Sequence, residues 1–481
     1  MDAKYFERSH VSRLFKQLSG GAHTRIMAIN GPRQVGKTTI ALQVRHKLIK
    51  SQIPCWYMPM DDFDSDDSDW DRIRSDDGNL RIGADFDYRD WDNQDFATGT
   101  IIGAGAPPNE QVLVKIWKKA RRNSLKSERG LVLILDEIQI IPRWSNIVKG
   151  LWDTDRREGY PLRVVILGSA PWRLMIGQNE SLAGRFDSHR VTHWSLPEMT
   201  QAFGLTVEEF MFFGGYPNPF CNESEGIILR PWRDYIVNAI LTPAIDRDIV
   251  GLTRIKNPAL MRQLIDLAPR YSGQIISYTK LLGKLQDKGN ATTLAGYLKL
   301  LSDASLIVAL DQYSRSPHRS KTSPPKLNVL NTALMTATSG YSFQEAQADR
   351  SFWGRIVESA VGAHLQNTRD TATHIHYWRR DSGKYEVDFV ISRGPHLLGV
   401  EVKSGYKRAH RGNTALPSAQ EIVDLEVKSG NKRVRRGLDE FKARFNNARI
   451  MEVGPGVNAI PLNEFFSLTA DEWIEEKCVR L

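Results

Sequence analysis

The sequence predicts an α/β protein founded on a parallel sheet, and three features carry that expectation. Residues 31–38 read Gly-Pro-Arg-Gln-Val-Gly-Lys-Thr, set between a short apolar run, Arg25–Asn30, and a segment of helical spacing from Thr39 to Leu48. Leu131–Leu135 is a second apolar run and ends in Asp136-Glu137. Arg163–Leu167 is a third, ending in Gly168-Ser169-Ala170. Runs that are apolar without alternation suit strands covered by helices on both faces, as in a parallel sheet.

Strand, Gly-rich turn and helix is the setting that a phosphate-binding loop requires. Its glycines let backbone N–H groups wrap a polyphosphate, and the helix N-terminus adds a favourable dipole. The expected binding set is Gly31, Pro32, Arg33, Gln34, Val35, Gly36, Lys37, Thr38 and Thr39, with ATP as ligand. Lys37 would reach the β- and γ-phosphates, and Thr38 and Asp136 would hold Mg²⁺. Glu137 would orient or deprotonate an attacking water, which makes ATP hydrolysis the expected chemistry. Ser169 either senses the γ-phosphate from a neighbouring strand or closes a turn.

At 481 residues the chain has length for two to four domains. Its hydrophobic share of 41% and charged share of 25% are those of a globular chain rather than a disordered one. No apolar run approaches the roughly 18 residues of a membrane span, and the N-terminus lacks a signal peptide's apolar core, so a cytoplasmic protein is expected. Cys55, Cys221 and Cys478 form neither a zinc pattern nor a disulfide framework. The net charge of +9 is uneven: residues 61–95 hold fourteen Asp against four Arg, so the remainder is strongly basic. That suits contact with DNA or another polyanion. The acidic stretch reads as an insertion, 61–100, after a strand near Cys55–Met58.

Three domains are expected: 1–200 around the phosphate loop, 201–320, and 321–481. In the middle one, Ser277 caps a short helix, Ala291–Leu301 forms another, and Leu306–Leu310 is a strand. That order resembles a winged helix-turn-helix, which would turn Thr292, Thr293, Tyr297 and Lys299 to a DNA groove. Pro324-Pro325, closing the polar and basic stretch Ser314–Lys326, marks the next boundary.

Several segments occur in an order that resembles one family. They are Gly31–Thr39, Leu135-Asp-Glu-Ile-Gln139 with Trp144, Leu167-Gly-Ser169, Glu180-Ser-Leu-Ala-Gly-Arg185, Gly214-Gly-Tyr-Pro217, Arg247-Asp-Ile249, Gly354-Arg-Ile-Val-Glu358, Val387-Asp-Phe389 and Val400-Glu-Val-Lys-Ser-Gly405. Together they are similar to prokaryotic AAA-type ATPases carrying a C-terminal domain of unknown function numbered 4143. The resemblance implies an ATPase core, a helical or winged-helix middle and a restriction-endonuclease-like α/β C-terminal fold. It also makes Arg185 the candidate arginine finger, acting within one chain or across a homo-oligomer; a surface Arg paired to a carboxylate is the plainer reading. The turn Ser169-Ala-Pro-Trp-Arg173 departs from the Ser-rich turn usual in the family.

The C-terminal region carries a second constellation. Asp388 lies in the hairpin-like stretch Lys384–Ile391, and Glu401-Val-Lys403 ends the run from Leu397. Alternation puts Glu401 and Lys403 on one face. Asp388 and Glu401, completed by Glu358 from an amphipathic helix, would hold Mg²⁺, with Lys403 stabilising a phosphate under attack. The same pattern is read alternatively as a fold that holds DNA without cutting it. Glu401–Gly412 recurs in large part as Glu426–Gly437, so either copy can occupy the strand; the first is favoured by its approach from Asp388. Residues 401–445 hold eleven Lys or Arg against six Asp or Glu, a balance that suits a phosphate backbone.

Overall fold

The computed structural model describes residues 6–20, 25–60, 109–168, 184–221, 229–244, 255, 257–285, 290–316, 323–404, 431–456 and 458–479. The acidic insertion, Ser169, Arg247–Ile249 and residues 426–430 of the second repeat copy lie outside them. The chain divides into two compact units, one of residues 7–191 and one containing residues 192–481.

In the first unit five strands form one sheet: β1 (Ile26–Asn30), β2 (Cys55–Pro59), β3 (Leu131–Asp136), β4 (Leu162–Leu167) and β5 (Phe186–Arg190). Their order is β2-β3-β4-β1-β5, and every pairing is parallel. All six residues of β3 are buried. Its alternation shows why: Leu131, Leu133 and Leu135 pack with Trp117 and Trp144 on one face. Val132 and Ile134 pack on the other face with Leu14, Ile40 and Val44. Those partners come from helix α1 (Ser9–Ser19) and helix α2 (Lys37–Lys50), which bury Val11, Leu14 and Leu18 and Ile40, Ala41, Val44 and Leu48. Each such aliphatic side chain contributes about 1.5–3 kcal/mol of burial. β4 lies between β1 and β3, and all three present their ends to the same carboxyl edge of the sheet. Ligands of open parallel sheets bind at that kind of switch in strand order.

The second unit joins two sheets through one core. β6 (Gln274–Ile275), β7 (Ile307–Leu310) and β8 (Lys326–Val329) form an antiparallel sheet in the order β6-β8-β7. A short helix, Tyr278–Leu282, capped by the Ser277 side chain, and the helix Ala291–Asp303 precede β7. Helix, turn, helix and strand thus occur in the expected order. Tyr297, however, is buried, and its hydroxyl bonds the backbone of Asn257. It is therefore turned into the core and not to a groove. β8 falls past the expected boundary at 320 yet completes this sheet.

The second sheet is β12-β11-β10-β9, built from β9 (His374–Arg380), β10 (Tyr385–Arg393), β11 (His396–Val402) and β12 (Ala448–Val453). The first three strands are antiparallel and β12 runs parallel to β11. The helix Arg350–Thr368 precedes them, and the helix Asn431–Arg444 links β11 to β12. Leu260, Leu294, Leu334, Ile356, Phe389 and Trp473 share one core, so the middle and C-terminal regions bury each other's apolar surface.

Candidate functional site

The first site lies where β1 and β3 end. Gly36 has φ 87° and ψ 30°, a left-handed conformation that favours glycine, and it leads into α2. A Cβ on Gly31 would stand 2.0 Å from the Val191 carbonyl oxygen, so the loop passes too close to the end of β5 for a larger residue. Lys37 is buried, and its Nζ donates to the carbonyls of Gly31 (3.0 Å) and Pro32 (2.7 Å). These bonds curl the loop around the ammonium. Val35 is buried, and Arg8 reaches from ahead of α1 to donate to its carbonyl at 3.2 Å.

Thr38 Oγ1 donates to Asp136 Oδ2 at 2.8 Å, which brings the loop and the end of β3 together as expected. Tyr57, on β2, donates to the same oxygen at 2.7 Å, and the Glu137 amide donates to Oδ1 at 2.9 Å. The carboxylate is thus oriented on both of its oxygens. Hydroxyl and carboxylate side by side fit Mg²⁺, which takes few protein oxygens and fills its octahedron with water and phosphate. Glu137 has φ 50° and ψ 36°, a conformation that costs a non-glycine residue on the order of 1 kcal/mol. Gln139 Nε2 donates to its carboxylate and fixes its direction.

Arg185 is placed elsewhere. It precedes β5, and its carbonyl accepts from the Ile26 amide at 2.9 Å. Ile26 begins β1, whereas the phosphate loop leaves from Asn30 at its other end. Four strand residues, about 13 Å, separate the two edges. The guanidinium pairs with Asp153 (Nε–Oδ1 2.9 Å) and lies 5.9 Å from the centre of the Trp152 ring. In a parallel sheet every strand presents its carboxyl end to the same edge, so Arg185, ahead of β5, lies at the edge opposite the phosphate loop, where it is paired to a carboxylate.

The second site is in the other unit. The structure places the first repeat copy on the strand, with Glu401 and Val402 ending β11. Asp388 on β10 stands one pair beyond Phe389↔Val400, opposite Glu401. Its Oδ2 accepts from the Val402 amide at 2.8 Å. Glu358 enters from the helix Arg350–Thr368. These three acids do come together, but around a cation of the chain itself. Lys326, the first residue of β8, is 0% exposed and ion-pairs with Glu358. Its Nζ is 3.6 Å from Asp388 Oδ1, donates to the Asp388 carbonyl at 3.0 Å, and sits 4.7 Å from the centre of the Phe389 ring. Lys403 pairs with Glu452 on β12, the register partner of Glu401. Among the described residues no three His, Cys, Asp or Glu side chains form a metal's ligand set. The expected metal ligands Glu358, Asp388 and Glu401 are thus gathered beside a lysine of the chain itself.

The charges follow from this packing. Burial opposes the Lys326 ammonium, but Glu358 and Asp388 outweigh it and hold the group above the ordinary lysine range. Burial, followed by the neighbouring Asp388 carboxylate, raises Glu401 well above the ordinary range. Its Oε2 is buried with no hydrogen-bond partner. A raised carboxyl keeps in the folded state a proton that the unfolded chain releases near pH 4.3, so its contribution to stability is complete below that and is lost as pH rises. Glu401→Gln supplies a neutral group of the same shape. It is expected to raise the thermal midpoint at about pH 8 by roughly 2–4 °C and to leave it unchanged near pH 4, as read by thermal unfolding at both pH values.

Comparison with known proteins gives three family matches. Residues 90–200 match an AAA domain, residues 353–424 a domain of unknown function (DUF4143), and residues 205–345 another domain of unknown function (DUF8612). The chain carries an AAA domain followed by a DUF4143 domain. No curated protein sequence matches it. Among solved structures, AMPPCP-bound DnaA from Aquifex aeolicus is 12% identical, with 63% of this chain and 91% of that one covered and a TM-score of 0.30. The RuvB Holliday junction branch migration motor of Thermotoga maritima is 14% identical, with coverage of 68% and 92% and a TM-score of 0.28. The ORC1 protein of Aeropyrum pernix in complex with DNA is 11% identical, with coverage of 70% and 92% and a TM-score of 0.27. TM-scores of this size establish no shared activity.

Four residues of these sites escape a reading of the sequence. Tyr57 and Gln139 support the carboxylates at the end of β3; Tyr57 has no motif of its own, and Gln139 stands in the segment Leu135–Gln139 with no role assigned to it. The signal for Tyr57 was its strand: Pro59 is in register with Asp136, which brings β2 beside the site. Glu452 is a lone acid in an apolar run, and only strand pairing places it beside Lys403. Lys326 read as the last member of a basic linker, whereas Pro324-Pro325 in fact ends the linker and Lys326 opens a buried strand.

Proposed function

We propose that this chain binds Mg²⁺-ATP at the loop 31–39 and hydrolyses it, and that turnover changes how its second unit holds DNA. The single observation that carries the ATP reading is the 2.8 Å bond from Thr38 to Asp136, which joins a complete phosphate loop to the acid at the end of β3. With ATP bound, the Lys37 ammonium exchanges carbonyl oxygens for those of the β- and γ-phosphates. Thr38 and Asp136 would hold Mg²⁺, whose charge would offset that of the phosphates. Glu137, pointed by Gln139, receives the proton of the water that attacks in line. Ser169 is proposed to sense the γ-phosphate. The reading of the second unit as nuclease-like is supported by its order of helix, three strands, helix and strand. DNA as its partner is supported by the basic balance of residues 401–445.

The test is ligand-dependent stability. Mg²⁺-ATP at about a hundred times its Kd is expected to stabilise the wild-type chain by about 2.7 kcal/mol against thermal unfolding. Lys37→Ala should lose that shift and its ATP turnover together. An equal shift in Lys37→Ala would remove the loop as the nucleotide site.

A further inference from the structure

We infer that Lys326 is a built-in cation standing where a nuclease-like sheet would recruit a divalent metal, so that the DUF4143 sheet of this chain binds no metal and cuts no nucleic acid by a metal-dependent route. The inference is independent of the ATP reading, because the residues concerned belong to the second unit alone.

Position argues first. Lys326 is 0% exposed, so its ammonium is not available to substrate or solvent. It reaches acids from two different elements, Glu358 on the helix Arg350–Thr368 and Asp388 on β10, as a bridging metal would. A metal is drawn from solution and must be bound; this charge arrives with the chain, attached to β8. The backbone carbonyl of Asp388 and the Phe389 ring fill the space around it, and both attract a cation.

The coordination chemistry argues second. Mg²⁺ demands near-octahedral oxygens at about 2.0–2.1 Å. Asp388 has one carboxylate oxygen turned to Lys326 and the other bonded to the Val402 amide. Glu358 is ion-paired to the same ammonium. An entering divalent ion would have to displace a lysine that cannot reach water, or else sit beside its positive charge. Lys403, which a phosphoryl-transfer site would aim at a scissile phosphate, pairs with Glu452. Glu401 is left with a buried oxygen that has no hydrogen-bond partner.

The experiment is a Mn²⁺ titration of the nucleotide-free full-length chain, with free Mn²⁺ counted by electron paramagnetic resonance, on wild type, Glu401→Gln and Lys326→Met. Ions held by Thr38 and Asp136 are common to all three and cancel. Wild type and Glu401→Gln are expected to bind the same number of ions and to leave supercoiled plasmid intact in Mn²⁺. Lys326→Met is expected to bind one ion more and to unfold at a higher temperature when Mn²⁺ is present. One ion fewer in Glu401→Gln than in wild type, or plasmid cleavage by wild type that Glu401→Gln lacks, would overturn the inference. Should Lys326→Met fail to fold, the comparison of wild type with Glu401→Gln decides alone.

Discussion

ATP turnover by Glu137→Gln is expected to fall roughly 10²–10³-fold while ATP binding is retained, the loss appropriate to a missing general base. The separation follows from what each carboxylate does. Asp136 is bonded by Thr38 and Tyr57, so its replacement would disturb the loop as well as the Mg²⁺ position. Glu137 gives its amide to that network, and its side chain accepts from Gln139. An amide in its place keeps the size and the hydrogen-bonding reach but cannot take a proton. Single-turnover hydrolysis set beside fluorescent-nucleotide binding would separate the two steps. Loss of binding in parallel with turnover would mean that Glu137 helps to build the pocket, and the base would have to be sought elsewhere. Gln139→Ala should then fall between wild type and Glu137→Gln, since it frees the carboxylate without removing it.

How much of this was legible in the sequence depends on the range of the interaction. The phosphate loop, β1 to β4 and the acids after β3 were readable because each is written in consecutive residues, with apolar runs fixing the strands. The start of the first repeat copy was readable as strand for a similar reason: Leu397–Val400 leads into it, and β11 does run from His396 to Val402. The side of the sheet on which Arg185 falls is a property of strand direction. A motif shows that an arginine is present, but only the topology shows that it precedes β5 and so faces the wrong edge. Tyr297 misled through its helix. One face of Ala291–Asp303 is core, and Tyr297 shares that face with Leu294, Leu298 and Leu301. The acids Glu358, Asp388 and Glu401 were correctly gathered, yet their cation was invisible, because a lysine's role is set by burial and Lys326 closes a stretch that is polar and basic in sequence. Composition counted it as surface charge.

Replacing that lysine should therefore have the largest effect on stability of any single change at these sites. Lys326→Met keeps a long unbranched side chain but removes the fully buried charge, leaving the half-buried Glu358 and Asp388 without their shared cation. Breaking a buried ion pair by deleting one partner costs about 3–5 kcal/mol, because the remaining charge keeps its desolvation penalty without its compensation. The pH dependence identifies that cause. Burial already holds the Glu358 carboxyl above the ordinary range against the pull of Lys326, so with the ammonium gone it rises further above its value in the unfolded chain. The folded variant then binds protons that the unfolded chain has already released above about pH 4, so its stability falls as pH rises. The deficit relative to wild type should be small near pH 4 and reach its full size by about pH 8, in denaturant unfolding followed by tryptophan fluorescence. A deficit of the same size at both pH values would assign the loss to packing around the side chain and would leave the ammonium without an electrostatic role. Glu401→Gln provides the internal control, since it acts on the same cluster and is expected to move stability in the opposite direction. Opposite signs from two neighbouring substitutions are hard to obtain from packing alone, and they follow directly from a cluster in which one cation holds two acids and a third acid is buried in excess.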